Sequence, residues 1–217
     1  MAQPIFITGI GTGVGKTLAA AIVAEALQAD YWKPVQAGYE EGTDSGWISS
    51  ILDGSSIVVH PELYKLKMAA SPHIAAREEN KSIDLANIKV ALEKIMLSLH
   101  GTDKTLVMEG AGGLLVPLNE TAFVADLIKQ VQAKVILVSR NYLGSINHSL
   151  LTAEVCRYYK LEVLGWIFND QYLAYEDEIM HWSGFPKIGT IPFAANPDQK
   201  FVKEQALQIA GALKKIV

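Results

Sequence analysis

Residues 9–17 read Gly9-Ile10-Gly11-Thr12-Gly13-Val14-Gly15-Lys16-Thr17, four glycines at alternate positions and then a lysine and a threonine. They stand between a short apolar run, Ile5 to Thr8, and an Ala-rich helical segment, Leu18 to Leu27. Strand, glycine turn and helix in that order are the context of a phosphate-binding loop. The glycines let the backbone curl until several N–H groups face one anion, and the new helix adds the positive end of its dipole. In such a loop Lys16 would contact the β- and γ-phosphates of a nucleotide, and the Thr17 hydroxyl would ligate Mg²⁺. The strict spacing G-x-x-x-x-G-K-S/T asks for glycine at position 10, where this chain has Ile10. The turn is therefore a variant, with Gly9 or Gly11 in that role.

Three further residues could complete phosphate chemistry. Lys33 closes the run Tyr31-Trp32-Lys33. Read alone it fits a solvated lysine, but beside a phosphate site its ammonium can stabilise charge on a transferring group. Glu109 ends the apolar run Leu106-Val107-Met108 and is followed by Gly110-Ala111-Gly112-Gly113, the natural place for a second Mg²⁺ ligand. Asp44, in the polar connection Gly38 to Ser45, is as compatible with solvent as with the metal. The five histidines show no zinc-ligand spacing. Cys156 reads as a small buried hydrophobe, and the four dispersed tryptophans read as packing rather than as a stacking platform.

The elements that must position these groups alternate. Strands are expected at Ile5–Thr8, Tyr31–Lys33, Leu106–Glu109, Val135–Ser139, Val163–Phe168 and Lys187–Ile191, with an extended piece within Ile57–Leu66. Leu85, Ile88, Leu92, Ile95, Met96 and Leu99 form one helical stripe, and Val202, Ala206, Ile209, Leu213 and Ile216 form another. Further helices are expected over Gly15–Gln28, Ala122–Gln130, Ser145–Tyr158 and Tyr175–Trp182. This predicts an α/β fold, a mainly parallel sheet of about seven strands flanked by helices. Ligands of such sheets gather at the carboxyl ends of the strands, where all the candidate residues fall.

With 217 residues and no internal repeat or Pro/Gly-rich linker, the chain is expected to form one domain over 1–217. Nineteen Lys and Arg against 23 Asp and Glu give a net charge of −4 without a basic cluster, which argues against a nucleic-acid partner. The absence of a secretory leader pattern or a long apolar stretch predicts a protein that neither is secreted nor spans a membrane, and one cysteine suits a reducing cytoplasm.

Motifs spread through most of the chain add a resemblance. Thr8-Gly9-x-x-Thr12-x-Val14-Gly15-Lys16-Thr17, Lys33-Pro34-Val35, Ser71-Pro72-His73-Ile74, Glu109-Gly110-Ala111-Gly112-Gly113, Leu143-Gly144-Ser145-Ile146-Asn147-His148, Asn169-Asp170 and Ile191-Pro192 follow one another as in the dethiobiotin synthetase family. The chain resembles that family, in which the irregular phosphate loop is a common trait. The resemblance implies a fold of the P-loop NTPase type and an ATP- and Mg²⁺-dependent carboxylation in biotin biosynthesis. CO₂, supplied from bicarbonate, adds to 7,8-diaminononanoate as a carbamate, ATP phosphorylates it, and the second amine closes the ring of dethiobiotin.

By the same resemblance Gly13, Val14, Gly15, Lys16, Thr17 and Leu18 would cradle the phosphates, with Glu109, Gly110, Ala111 and Gly112 against the nucleotide. Thr17, Asp44 and Glu109 would hold Mg²⁺, while Lys16 and Lys33 would be catalytic. Asn169 and Asp170 would recognise adenine, with Pro192, Phe193, Ala194 and Asn196 closing the pocket. Thr12, Lys33 and Ala37 would meet the substrate, Ala37 through its backbone because some relatives have a hydroxyl residue there. Leu143, Gly144, Ser145, Ile146 and Asn147 would hold its carboxylate in the site of the other subunit of a homodimer. Gly11 and Gly13 replace polar residues found in some relatives.

A different class, partition-type or regulatory P-loop ATPases acting through a partner, usually carries a second lysine at the position of Gly11, and its absence counts against that reading. Related amidotransferase-type synthetases would need an additional domain. The run Asn169-Asp170-Gln171-Tyr172 lacks the Asn-Lys-x-Asp guanine motif, which disfavours GTP.

Overall fold

A computed structural model describes residues 3–170 and 173–217. Gln171 and Tyr172, part of the argument against GTP, lie outside the described residues. The chain runs β1 (Ile5–Gly9), α1 (Lys16–Leu27), β2 (Asp30–Trp32), β3 (Val35–Ala37), α2 (Asp44–Ile51), β4 (Val59–His60), β5 (Tyr64–Leu66), α3 (Pro72–Glu78) and α4 (Leu85–Ser98). It continues with β6 (Leu106–Gly113), α5 (Val124–Val131), β7 (Lys134–Arg140), α6 (Ser145–Tyr159), β8 (Val163–Asn169), α7 (Glu176–Ser183), β9 (Lys187–Ile191) and α8 (Gln199–Ile216).

Seven strands form one sheet in the order β4-β2-β6-β1-β7-β8-β9, and every described strand pairing is parallel. Helices cover both faces, so the central strands are mostly apolar and sort their side chains by alternation. Ile5 and Ile7 of β1 join Tyr31, Val107, Ile136 and Val138 in a core shared with α1 and α8. Phe6, Trp32, Met108, Val135 and Leu137 point the other way, into a core shared with α4, α5 and α6. The run Ala19-Ala20-Ala21 is fully buried, because small side chains let α1 lie close to both the sheet and α8.

β1 lies in the middle of the sheet, with β6 on one side and β7 on the other. The chain first travels from β1 towards β2 and later crosses back from β6 to β7. The crevice above β1 is thus the switch point at which an open parallel sheet receives ligands.

The expected α/β sheet is present, with local corrections. Residues 57–66 contribute two short strands to different sheets: β4 joins the edge of the main one, and β5 pairs with β3 in a separate two-stranded ladder. β6 does not end at Glu109 but runs to Gly113, with a register shift where it passes β1. Asp44 is not a loop residue. It opens α2, whose N-cap Thr43 accepts a hydrogen bond from the Gly46 amide at 3.0 Å. Lys33 follows β2 directly rather than belonging to it.

Candidate active site

The glycine turn after β1 takes the conformation that its composition permits. Gly13 and Gly15 have φ of 71° and 91°, in the left-handed region that favours glycine. At Gly15 a Cβ would also come within 2.0 Å of the Asn169 amide nitrogen, so space and dihedral both demand glycine. The turn then feeds Lys16 and Thr17 into the first turn of α1, where backbone N–H groups have no helical partner.

Lys16 is 7% exposed, and its ammonium donates to the Gly11 carbonyl at 2.8 Å. Burial pulls its pKa down to about 8, against the attraction of Glu109. Lys33 is as deeply buried, yet its pKa moves the other way. Burial works to lower it, but the charges of Glu109 and Asp44 and the hydrogen bonds to both outweigh that and hold it above the ordinary lysine value. Its ammonium donates to Glu109 Oε1 at 3.0 Å and to Asp44 Oδ2.

Glu109 is 1% exposed and serves as the hub. Its Oε1 also accepts from the Thr17 hydroxyl at 2.9 Å, and its Oε2 accepts from the Tyr31 hydroxyl at 2.8 Å. Two strands, β2 and β6, and the helix α1 therefore meet at one carboxylate. Parallel pairing sets Glu109 beside Ile7 of β1 and places Tyr31 of β2 opposite Val107, two residues before Glu109 on the same face.

These groups open onto a cavity of about 710 Å³. Of the residues expected at the site, Thr12, Gly13, Gly15, Lys16, Thr17, Lys33, Ala37, Asp44, Glu109, Ala111 and Gly112 line it. Gln36, Ala69, Ala70, Ser71, Pro72 and Val116 line it too and carried no expectation as site residues. Ser71 and Pro72 belong to a motif that could have flagged them, since a Ser-Pro pair starts α3 with proline at the first helical position. Gln36 offers no such signal. It is placed by β3 and ties the loop together, donating to the Gly38 carbonyl at 2.7 Å and accepting from the Asp44 amide at 3.4 Å. A neighbouring cavity of about 700 Å³ shares Ala37 and Ala69 but is lined by four glutamates and reaches neither buried lysine.

The remaining expected residues lie elsewhere on the same carboxyl side of the sheet. Asn169 ends β8 and its amide donates to the Val14 carbonyl at 3.0 Å, tying that strand to the glycine turn. Asp170 pairs with Arg140 at 3.2 Å and lines a separate cavity of about 470 Å³ with Gly11, Thr12, Gly13 and Val14. Pro192, Phe193, Ala194 and Asn196 follow β9, with Phe193 68% exposed. Leu143 and Gly144 lead into α6, whose first residues are Ser145, Ile146 and Asn147, and none of the five lines the 710 Å³ cavity. Leu143 is 80% exposed there.

Hard oxygen donors suit Mg²⁺, and Thr17, Asp44 and Glu109 supply a hydroxyl and two carboxylates linked through Glu109, to which Thr17 donates directly and Asp44 is joined by the Lys33 ammonium. Among the described residues no group of three or more His, Cys, Asp or Glu could hold a metal, so this is no all-protein cage. It fits an ion that also takes oxygens from phosphate and water. No helix among the described residues is long and apolar enough to cross a membrane.

A family model described as an AAA domain matches residues 3–200. The chain is 48% identical over 200 residues to the ATP-dependent dethiobiotin synthetase BioD of Cytophaga hutchinsonii, covering 92% of this chain and 91% of that one. It is 42% identical over 207 residues to the protein of the same name from Christiangramia forsetii, covering 95% of each. Among solved structures it is similar to the MinD cell division protein of Aquifex aeolicus, with a TM-score of 0.59 and 16% identity over 97% of each chain. A ParA family ATPase from Chlorobium tepidum gives a TM-score of 0.53 at 15% identity over 99% of this chain and 93% of that one. These last two likenesses show the fold alone, that of P-loop ATPases. The extent of identity to the synthetases decides the family: the chain belongs to the ATP-dependent dethiobiotin synthetases.

Proposed function

We propose that the chain, as a single domain over 1–217, converts 7,8-diaminononanoate, CO₂ and ATP to dethiobiotin, ADP and phosphate in the cytoplasm. The observation that carries this reading is the convergence of Lys16, Lys33, Thr17 and Glu109 on one cavity at the end of β1, in a chain 48% identical to a named synthetase. A carbamate formed on one amine of the substrate has a poor leaving group at its carbon until an oxygen is phosphorylated. That oxygen attacks the γ-phosphorus of ATP and ADP departs. The second amine, tethered in the same molecule, then attacks the carbamoyl carbon and phosphate leaves with the bridging oxygen, closing the ureido ring. Tethering makes the closure intramolecular, where effective molarity is high.

The residues serve this chemistry by position and charge. The amides of residues 13–18 surround the phosphates. Lys16, with a pKa of about 8, gains an anion when ATP arrives and is held charged by it. Lys33 stays charged throughout and faces the carbamate and the transferring phosphoryl group. Thr17, Asp44 and Glu109 would hold Mg²⁺, which neutralises phosphate charge when bound. Asn169 and Asp170 take the adenine end, with Pro192, Phe193, Ala194 and Asn196 closing over it. Thr12 and Ala37 line the substrate side. The segment from Leu143 to Asn147, exposed at Leu143, Gly144 and Asn147 and absent from the lining of its own cavity, supplies the carboxylate site of a second copy in a homodimer.

Purified protein given ATP, Mg²⁺, bicarbonate and 7,8-diaminononanoate should yield dethiobiotin and ADP in equal amounts. ADP without dethiobiotin would refute the assignment.

A further inference from the structure

Tyr31 is fully buried in the core between the sheet and α1, among aliphatic side chains that phenylalanine would match equally well. Packing alone gives no reason for its hydroxyl, and burying an unpaired hydroxyl is costly. Its partner is Glu109 Oε2, at 2.8 Å. The division of labour at that carboxylate is complete: Tyr31 holds one oxygen, while Thr17 and Lys33 hold the other at 2.9 and 3.0 Å. Tyr31 is not among the residues lining the cavity, so it reaches the site only through Glu109.

We infer that Tyr31 is a positioning residue whose hydroxyl fixes the carboxylate plane of Glu109, presenting Oε1 to Thr17, Lys33 and the metal–ATP complex. The torsion that turns a glutamate carboxylate is broad and two-fold, so a carboxylate without a fixed partner on Oε2 can swing. An O–H donor to an ionised oxygen is a strong anchor, and Tyr31 remains a donor because burial and the nearby Glu109 charge push its pKa well above the usual phenol value. β2 and β6 are neighbouring parallel strands, so the sheet itself fixes the distance between the two groups. Outer partners of metal-ligating carboxylates tune metal affinity without touching the metal. The inference rests on the proposed binding of metal–ATP at this cavity.

The test uses Mn²⁺ as the probe, its binding to the protein–ATP complex read from loss of the free-ion paramagnetic resonance signal. Tyr31→Phe should weaken Mn²⁺ binding about tenfold while ATP binding in EDTA stays unchanged. Ile209→Val, which trims the buried face of α8 against Gly189 of β9 and outside the cavity lining, should leave both constants unchanged and so controls for stability. Fluorotyrosine placed at position 31 gives a second readout should Tyr31→Phe fail to fold. Its fluorine resonance should move when Mg²⁺ is added to the ATP complex. A wild-type chain that binds no Mn²⁺–ATP would refute the site reading and this inference together. Normal binding by wild type with an equal constant for Tyr31→Phe, or a fluorine resonance indifferent to Mg²⁺, would overturn the inference alone.

Discussion

The ends of β1 and β2, with Glu109 midway along β6, differ sharply from the carboxyl ends of β8 and β9. At the first set, two lysines and a glutamate lie at 7% exposure or less, and Glu109 uses both of its oxygens in hydrogen bonds. At the second, Asn169 and Asp170 are half-buried, and Phe193 in the turn after β9 is 68% exposed. Phosphoryl transfer depends on charge held in fixed positions out of water, where a donor or cation acts with most force. Recognition of a base needs only a few contacts. The molecule gathers its buried polar groups where transfer is proposed and leaves the proposed base end to half-buried and exposed residues.

The largest break in that contrast comes from Lys33→Gln. Turnover should fall by about 10²- to 10³-fold, while ATP affinity measured by calorimetry changes little. Because Glu109 and Asp44 then lose their shared cation, the variant should also be about 3–5 kcal/mol less stable, seen in denaturant melts, so turnover is compared at low temperature. Equal loss of turnover and ATP affinity would mean that Lys33 serves binding alone.

A pH profile separates the two lysines. The pKa of Lys16 is lowered to about 8, so its charge is lost as pH rises through that value in the free protein. kcat/KM for ATP should therefore fall above about pH 8, towards a tenfold drop per pH unit. Lys33, raised above the ordinary value, stays charged over the same range. A flat profile to pH 9.5 or so would contradict the assignment of Lys16.

At the base end the effects should be smaller. Asn169→Ala removes the hydrogen bond to the Val14 carbonyl along with any contact to adenine, and should raise KM for ATP about fivefold, the equivalent of about 1 kcal/mol. Phe193→Ala, at an exposed position, should change it by about twofold or less. If Phe193→Ala outweighs Asn169→Ala in steady-state assays, the base end is more ordered by its ligand than the free chain indicates.

The sequence made the phosphate loop plain because its chemistry is local: Gly9 to Thr17 carry turn, charge and hydroxyl within nine residues. Glu109 and Lys33 were legible at one remove, from apolar runs ending in a charge. Tyr31 was not, since an aromatic residue in a strand reads as core, and its partner is 78 residues away. The short elements escaped for similar reasons. α2, with the sequence DSGWISSI, is poor in strong helix formers and depends on its Thr43 cap and on tertiary packing. β3 and β5 are three residues each and, among the described residues, pair only with one another. The segment from Leu143 to Asn147 was legible as a motif, but no periodicity could say that it does not line its own cavity.

The most direct test of the phosphorylated-carbamate route follows oxygen. Bicarbonate carrying ¹⁸O, supplied to protein, ATP, Mg²⁺ and 7,8-diaminononanoate and sampled before the label exchanges with water, should place one ¹⁸O in each phosphate released, because the carbamate oxygen leaves with it. Dethiobiotin formed together with unlabelled phosphate would contradict the account.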